Sequence, residues 1–183
     1  MTATAVARLR PHLAVTRESS SIMRTATPGD AAAMHALITR YQEDGRLLPR
    51  TKEEIARHAE RFLVILDGDR VVGCAELAPL SASVGEVRSL VLDESARGLG
   101  LGRLLVEQLT REARLAGFQI VCAFTHEPGY FARLGFSLVP HAWLPEKIAA
   151  DCAGCPMFRR CGQWAMRLHV QEQAGAVRRE ACA

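Results

Sequence analysis

The chain lacks the sequence features that are typical of several common functional classes of protein. No apolar run reaches the length needed to cross a bilayer, so the sequence predicts no membrane association. The net charge is only +3 and the arginines are scattered, which argues against a nucleic-acid partner. No apolar secretory signal is visible, so a cytoplasmic location is expected, where cysteines stay reduced.

Two nucleotide-binding motifs are also missing, although the chain contains a glycine-rich segment. A Walker-type loop needs a Lys and a Ser or Thr after its glycines, and none follows here. Gly98, Gly100 and Gly102 are spaced as GxGxG, not as the GxGxxG of dinucleotide-binding folds. Both classes are therefore excluded.

The most informative segment is the apolar stretch Val84–Leu92 with the glycine-rich sequence that follows it. The pattern predicts a strand that leads through a turn into a helix. The first N–H groups of a helix lack partners and bind anions, and glycines let a ligand approach the backbone closely. We therefore predict a pyrophosphate-binding loop, formed by Arg97, Gly98, Leu99, Gly100, Leu101, Gly102 and Arg103.

The 183 residues suffice for one domain with a sizeable core, predicted over residues 22–170. Residues 1–21 and 171–183 are expected to be disordered tails, and residues 151–161 a cysteine-containing loop. Strand and helix patterns alternate in the order β, α, α, β, β, β, α, β, α, β. This order predicts an α/β (α+β) fold, a mixed sheet with helices on both faces.

The glycine-rich loop has the pattern [Gln/Arg]-x-x-Gly-x-[Gly/Ala], which resembles the pyrophosphate-binding motif of the GCN5-related N-acetyltransferases (GNAT). The opening around Pro28 and the segment from Tyr130 to Phe136 carry the same resemblance, which extends over residues 23–170. It implies a mostly antiparallel sheet of about six to seven strands, with acetyl-CoA in the splay between two central parallel strands. It also implies that the pantetheine arm is held by the backbone of Leu90, Val91 and Leu92.

The resemblance further suggests how the reaction would proceed. Acetyl transfer needs a neutral amine, and Glu86 lies where many family members carry a catalytic base. Thr125 matches a hydroxyl position near the leaving thiolate. The position of the usual Tyr general acid is occupied by Phe131. Tyr130 comes one residue earlier, and on a helix that offset turns the side chain by about 100°. Tyr130 is therefore expected to pack rather than to protonate.

Further segments resemble the acetyltransferase domain of N-acetylglutamate synthases, in a short stand-alone form. They include the loop Asp44 to Thr51 and the run Leu144-Pro145-Glu146-Lys147. The resemblance implies acetyl transfer to the α-amine of L-glutamate, the first step of arginine biosynthesis. Glutamate carries two carboxylates, which Arg recognises in a bidentate manner. The predicted substrate-binding residues are the backbone of Leu48 and the side chains of Arg50, Arg88 and Arg160.

Three cysteines, Cys152, Cys155 and Cys161, form a CxxC pair followed by a third thiol. Such spacing has the character of a metal site, and a structural zinc would account for it. No fourth ligand has supporting spacing. Reduced thiols that pack a small loop, or a redox-sensitive pair, would account for the same spacing without a metal.

Two rival functions stay open at this level. The same chemistry could act on another amine: a different amino acid, a protein N-terminus or a polyamine. Glu43 and Asp44, just before the substrate loop, would suit a polyamine. The second rival is a non-catalytic acyl-CoA-binding or redox-sensing module. The sequence also leaves open whether the protein forms a homodimer.

Overall fold

A computed structural model of the chain describes residues 14–15, 21–42, 47–155 and 157–170. Most of the predicted tails, together with Glu43 and Asp44, lie outside these residues. The strands are β1 (Ala14–Val15), β2 (Ser21–Thr25), β3 (Phe62–Asp67), β4 (Arg70–Pro79), β5 (Val84–Leu92), β6 (Ile120–Thr125), β7 (Ser137–Val139) and β8 (Trp164–His169). The main helices are α1 (Ala31–Arg40), α2 (Lys52–Arg57), α3 (Leu101–Leu115) and α4 (Pro128–Ala132).

The strands form one sheet in the order β1-β2-β3-β4-β5-β6-β8-β7. Every neighbouring pair is antiparallel except β5 and β6, which are parallel. These two pair only from Val84 opposite Ile120 to Glu86 opposite Cys122, and then part. Seven strands plus the two-residue β1 thus confirm the predicted mixed, mostly antiparallel sheet with a splay between its central parallel strands.

Helices cover both faces of the sheet. The apolar side chains of α3 recur at every fourth residue, at Leu101, Leu105, Leu109 and Ala113, and are buried against one face. Helices α1 and α2 bury Met34, Ile38 and Ile55 against the other. The central strands are therefore apolar on both faces. No helix in the described ranges is long and apolar enough to span a membrane.

A β-bulge deforms β5 just beyond the three residues that pair with β6. Cys74 of β4 lies opposite Val91, but Glu76 lies opposite Arg88, so β5 has an extra residue there. Ser89, within this interval, adopts a φ of 53°. A bulge bends its strand and increases the local twist. It therefore lies where β5 leaves β6, at the start of the predicted pantetheine-binding residues.

The entry into α1 is held by an ion pair. Arg24 donates two hydrogen bonds of 2.8 Å to the Asp30 carboxylate, which also accepts one of 2.7 Å from the Thr27 N–H. The hydrogen bonds from Arg24, ahead of those from Thr27, lower the pKa of Asp30 from 3.8 to about 2. Because the pKa of Asp30 is lower in the folded state, the ionised carboxylate stabilises the fold at pH values above its unfolded-state pKa. This stabilisation is lost as the pH falls through about 2.

We therefore expect Asp30→Asn to lower the free energy of unfolding by about 1–2 kcal/mol at neutral pH, after allowance for solvent screening. At strongly acid pH the variant and the wild type should be equally stable. Urea denaturation at the two pH values measures the difference. An equal loss at both would show that the carboxylate charge is not the cause.

Candidate active site

The predicted pyrophosphate loop lies between β5 and α3. Gly98 and Gly100 have φ values of 77° and 74°, a conformation that glycine adopts without steric cost. No atom lies within 4 Å of the point where either would carry a Cβ, so the backbone is open on that side. The first N–H groups of α3 have no partner within the helix. The loop can thus present its backbone N–H groups to an anion.

Helix α4 closes on this loop through Tyr130. A Cβ on Gly102 would lie 2.8 Å from the Tyr130 hydroxyl oxygen and 3.4 Å from Cδ1 of Leu92, so Tyr130 would have to shift to admit any larger residue. The Tyr130 ring packs against the core and meets Phe131 edge-on at 5.3 Å. Its buried hydroxyl has no hydrogen-bond partner among the described residues. A polar ligand at the loop would satisfy that hydroxyl, so the residues present fit the pyrophosphate of coenzyme A.

Arg97 is the member of the loop that is already engaged. Its guanidinium stacks over the Tyr41 ring, 4.8 Å from the ring centroid, and its N–H donates to the carbonyl of Glu94 at 3.2 Å. Arg97 therefore ties the loop to the end of α1. The backbone available to an anion begins at Gly98.

Glu86 is the last residue of β5 that pairs with β6, so it lies at the point where the two strands part. Its residue is 2% exposed, and its two carboxylate oxygens lie 2.7 and 2.9 Å from Nζ of Lys147. Burial raises the pKa of the Glu86 carboxyl, and the charge of Lys147 opposes that rise in part. A buried, paired carboxylate at the point where the two strands part has the character of a proton acceptor.

The two predicted anchors Arg50 and Arg88 converge on one buried carboxylate, Glu76. Arg88 and Glu76 are cross-strand partners in β5 and β4, and Arg88 donates to Glu76 at 2.7 and 3.1 Å. Arg50 approaches from the loop before α2, where its Nη2 lies 3.9 Å from Glu76 and its Nη1 pairs with Glu54. The Thr51 hydroxyl accepts the N–H of Glu54, which begins α2 and places Arg50 and Glu54 one turn apart.

Two residues from the segment after β7 complete this arrangement. Asp151 lies 2.7 Å from Lys147 and 3.8 Å from Arg88, so it links Glu86 to the pair of Arg88 and Glu76. We call the connected set the ion-pair network, and it consists of Arg50, Glu54, Glu76, Glu86, Arg88, Lys147 and Asp151.

Four members of the network were not predicted as site residues: Glu54, Glu76, Lys147 and Asp151. A signal existed for each. Glu54 follows the predicted anchor Arg50 at the i, i+4 spacing of an ion pair. Glu76 is the one charged residue within the buried run 72–78 of β4, and such a residue needs a buried partner. Lys147 and Asp151 have the i, i+4 spacing of a helical ion pair.

The other predicted residues lie apart from the network. The Thr125 hydroxyl accepts the N–H of Glu127 at 3.0 Å, which shapes the turn between β6 and α4. Leu48 is 46% exposed in the loop before α2. Arg160 is exposed in a short 3₁₀ turn and pairs with no carboxylate among the described residues. The structure therefore joins Glu86, Arg88 and Arg50, but not Arg160.

The cysteine loop does not support a structural zinc. In the part of the chain that the structure describes, no three His, Cys, Asp or Glu residues are arranged to hold a metal ion. Cys152, Cys155 and Cys161 are free thiols, and the N–H of Cys155 donates to the carbonyl of Cys152 at 3.0 Å. Burial raises the pKa of the Cys152 thiol, which keeps it protonated at neutral pH.

A sheet that splays beside a glycine-rich helix start defines a class of enzymes that transfer acyl groups from coenzyme A. The sequence pattern described as the acetyltransferase (GNAT) family matches residues 31–136, and the chain belongs to that family. It is an acyltransferase that uses acetyl-CoA.

Similar proteins agree with this assignment. The chain is 32% identical over 148 residues to an uncharacterized N-acetyltransferase of Chlorobaculum tepidum, covering 81% of this chain and 96% of that protein. It is 30% identical over 139 residues to an amino-acid acetyltransferase of Neisseria meningitidis, covering 75% of this chain and 32% of that protein. A solved N-acetylglutamate synthase from Neisseria gonorrhoeae, complexed with coenzyme A and N-acetyl-glutamate, has a TM-score of 0.76 and 25% identity. That match covers 86% of this chain and 37% of the synthase. The chain thus spans about a third of the two Neisseria proteins.

Proposed function

We propose that the protein transfers the acetyl group of acetyl-CoA to the α-amine of L-glutamate, as a cytoplasmic enzyme of arginine biosynthesis. The observation that carries the proposal is the position of two arginines, Arg50 and Arg88, in one network with the buried carboxylate Glu86. A dicarboxylic amino acid needs cationic anchors beside a proton acceptor. The names and ligands of the Neisseria proteins support the same substrate.

In this proposal each part of the site has one task. Acetyl-CoA supplies an activated acetyl thioester when it is bound. The backbone of residues 98–103 binds its pyrophosphate, and a β5 amide beyond Ser89 polarises the acetyl carbonyl. Arg50 and Arg88 bind the carboxylates of the acceptor, and Glu76 fixes both guanidinium groups in direction. The Glu86 carboxylate takes the proton that the amine loses, directly or through a water molecule.

One observation favours a second acceptor class. The ion-pair network contains four carboxylates, on Glu54, Glu76, Glu86 and Asp151, against three cations. An excess of negative charge attracts a cationic amine such as a polyamine. Glu54 and Asp151 are partly exposed, at 35% and 30% of their side-chain surfaces, so a substrate can reach them.

A thiol-release assay with acetyl-CoA separates these functions. We expect thiol release to be faster with glutamate than with aspartate, glutamine or spermidine. Faster release with spermidine would establish a polyamine as the acceptor. Binding of acetyl-CoA without release from any amine would favour the sensing module instead.

The role of Arg50 is tested with the same assay. We expect Arg50→Ala to raise the KM for glutamate by about 10- to 100-fold, the loss of roughly one charge-assisted contact. The KM for acetyl-CoA should stay unchanged, because the coenzyme loop is formed by other residues. Arg57→Ala, at an exposed position on α2, is the matched control. An equal rise in both KM values would contradict a carboxylate contact at Arg50.

A further inference from the structure

The segment that carries Lys147 is fixed against the paired ends of β5 and β6. Leu144 is 1% exposed and packs in a small cluster with Val84 of β5 and Cys122 of β6. Cys122 is the residue directly opposite Glu86. The N–H of Lys147 donates to the carbonyl of Leu144 at 3.1 Å, which begins a helical turn. The buried leucine thus sets where Lys147 lies relative to Glu86.

The Lys147 ammonium is enclosed by groups that stabilise a positive charge. Nζ lies 2.7 Å from Oε1 of Glu86, 2.7 Å from Oδ2 of Asp151 and 5.4 Å from the centroid of the Phe124 ring. Its side chain is only 6% exposed. Asp151 reaches it from a π-helical turn, Ile148–Cys152, a rare geometry that is frequent at functional sites.

An isolated carboxyl group in the position of Glu86 would be a poor base. Burial disfavours the charged form, so such a group binds a proton and can accept no other. The charged groups that face Glu86 are Lys147, Arg88 and Asp151, and the neighbouring Cys122 thiol has a pKa raised by burial. Arg88 is engaged by Glu76, so Lys147 is the cation in contact with Glu86.

Lys147 itself stays charged at neutral pH. Burial lowers its pKa, but attraction by Glu86 and hydrogen bonds to Asp151 and Glu86 outweigh burial, so that pKa lies above its ordinary value. We infer that Lys147 is a positioning residue that holds Glu86 ionised and directed at the splay, with Asp151 keeping Lys147 in place. This inference rests on the proposed function. The amine N–H bond breaks as an O–H bond forms on Glu86, and Lys147 keeps its protons throughout.

The test compares wild type, Lys147→Met and Lys147→Arg by two readouts. The first is the pH profile of kcat/KM for glutamate. In Lys147→Met the acid limb should move to higher pH, with a loss of about tenfold or more at neutral pH and recovery at high pH. The second is a ¹³C NMR titration of the Glu86 carboxyl, assigned by its loss in Glu86→Gln. It should shift in the same direction. Lys147→Arg retains the cation and should restore both.

The outcomes separate this inference from the proposed function. An unchanged Glu86 titration in Lys147→Met would overturn the inference, even in an enzyme that acetylates glutamate. If the wild type releases no thiol with any amine, the proposed function fails, and the NMR titration still decides what Lys147 does. If Lys147→Met does not fold, Lys147→Gln takes its place, since it removes the charge but keeps a hydrogen-bond donor.

Discussion

Glu86→Gln should lower kcat for acetyl transfer by about 100- to 10,000-fold at neutral pH, the usual contribution of a positioned base. The amide has nearly the shape of the carboxylate but cannot accept the amine proton. Burial raises the pKa of the Glu86 carboxyl, so wild-type activity should decline as the pH falls through that raised value. The variant should lose this limb of the pH profile and gain activity only at high pH, where solvent deprotonates the amine.

The matched control is Glu146→Gln, the same chemical change next to Lys147. Glu146 makes no ion pair with any residue that the structure describes. The rate and the pH profile of the Glu146→Gln variant should therefore match those of the wild type. Steady-state thiol release measured from acid to alkaline pH gives both profiles. If Glu86→Gln kept the wild-type rate and pH profile, Glu86 would be a structural member of the network and not the base.

Local sequence patterns were sufficient for the elements that form the coenzyme side of the site. The apolar run of β5 predicts the observed strand Val84–Leu92, and the helix predicted after the glycine-rich turn is α3, Leu101–Leu115. Both follow from residues that are neighbours in sequence. The left-handed conformations of Gly98 and Gly100 also fit the predicted turn, because only glycine adopts them freely.

The substrate side depends on contacts that no local pattern encodes. Glu86 and Lys147 are 61 residues apart, and Glu76 and Arg88 are cross-strand partners only because β4 and β5 pair in a shifted register. The shift itself places Ser89, a residue with no preference for positive φ, at a φ of 53°. The sequence therefore predicts Arg50 and Arg88 as anchors, but it does not predict the Glu76 carboxylate that both of them contact.

That carboxylate gives the second large effect. We expect Glu76→Leu to lower the free energy of unfolding by about 3–5 kcal/mol, which corresponds to a fall in Tm of about 6–20 °C for a chain of this size. Glu76 is 1% exposed and accepts two hydrogen bonds from Arg88. Its removal leaves the largely buried Arg88 guanidinium with Asp151, at 3.8 Å, as its remaining ion-pair partner among the described residues. Thermal unfolding followed by circular dichroism measures the change.

A double variant distinguishes an unpaired charge from simple loss of packing. In Glu76→Leu combined with Arg88→Met, neither side chain is charged, and the buried pair becomes an apolar contact of similar volume. Such replacements are often neutral, so the double variant should be more stable than either single variant. The exposed pair of Arg103 and Glu107 on α3 provides the control, since Glu107→Leu should change stability by at most about 1 kcal/mol.

The same double variant separates stability from function. Arg88 is a proposed anchor for the substrate carboxylate, so a refolded, stable double variant should still have a raised KM for glutamate. If the double variant lost as much stability as the two single variants together, Glu76 and Arg88 would act independently. Their ion pair would then not stabilise the pairing of β4 with β5 at the site. Recovered stability with weak glutamate binding would instead show that the buried pair is maintained for the substrate, at no benefit to the fold.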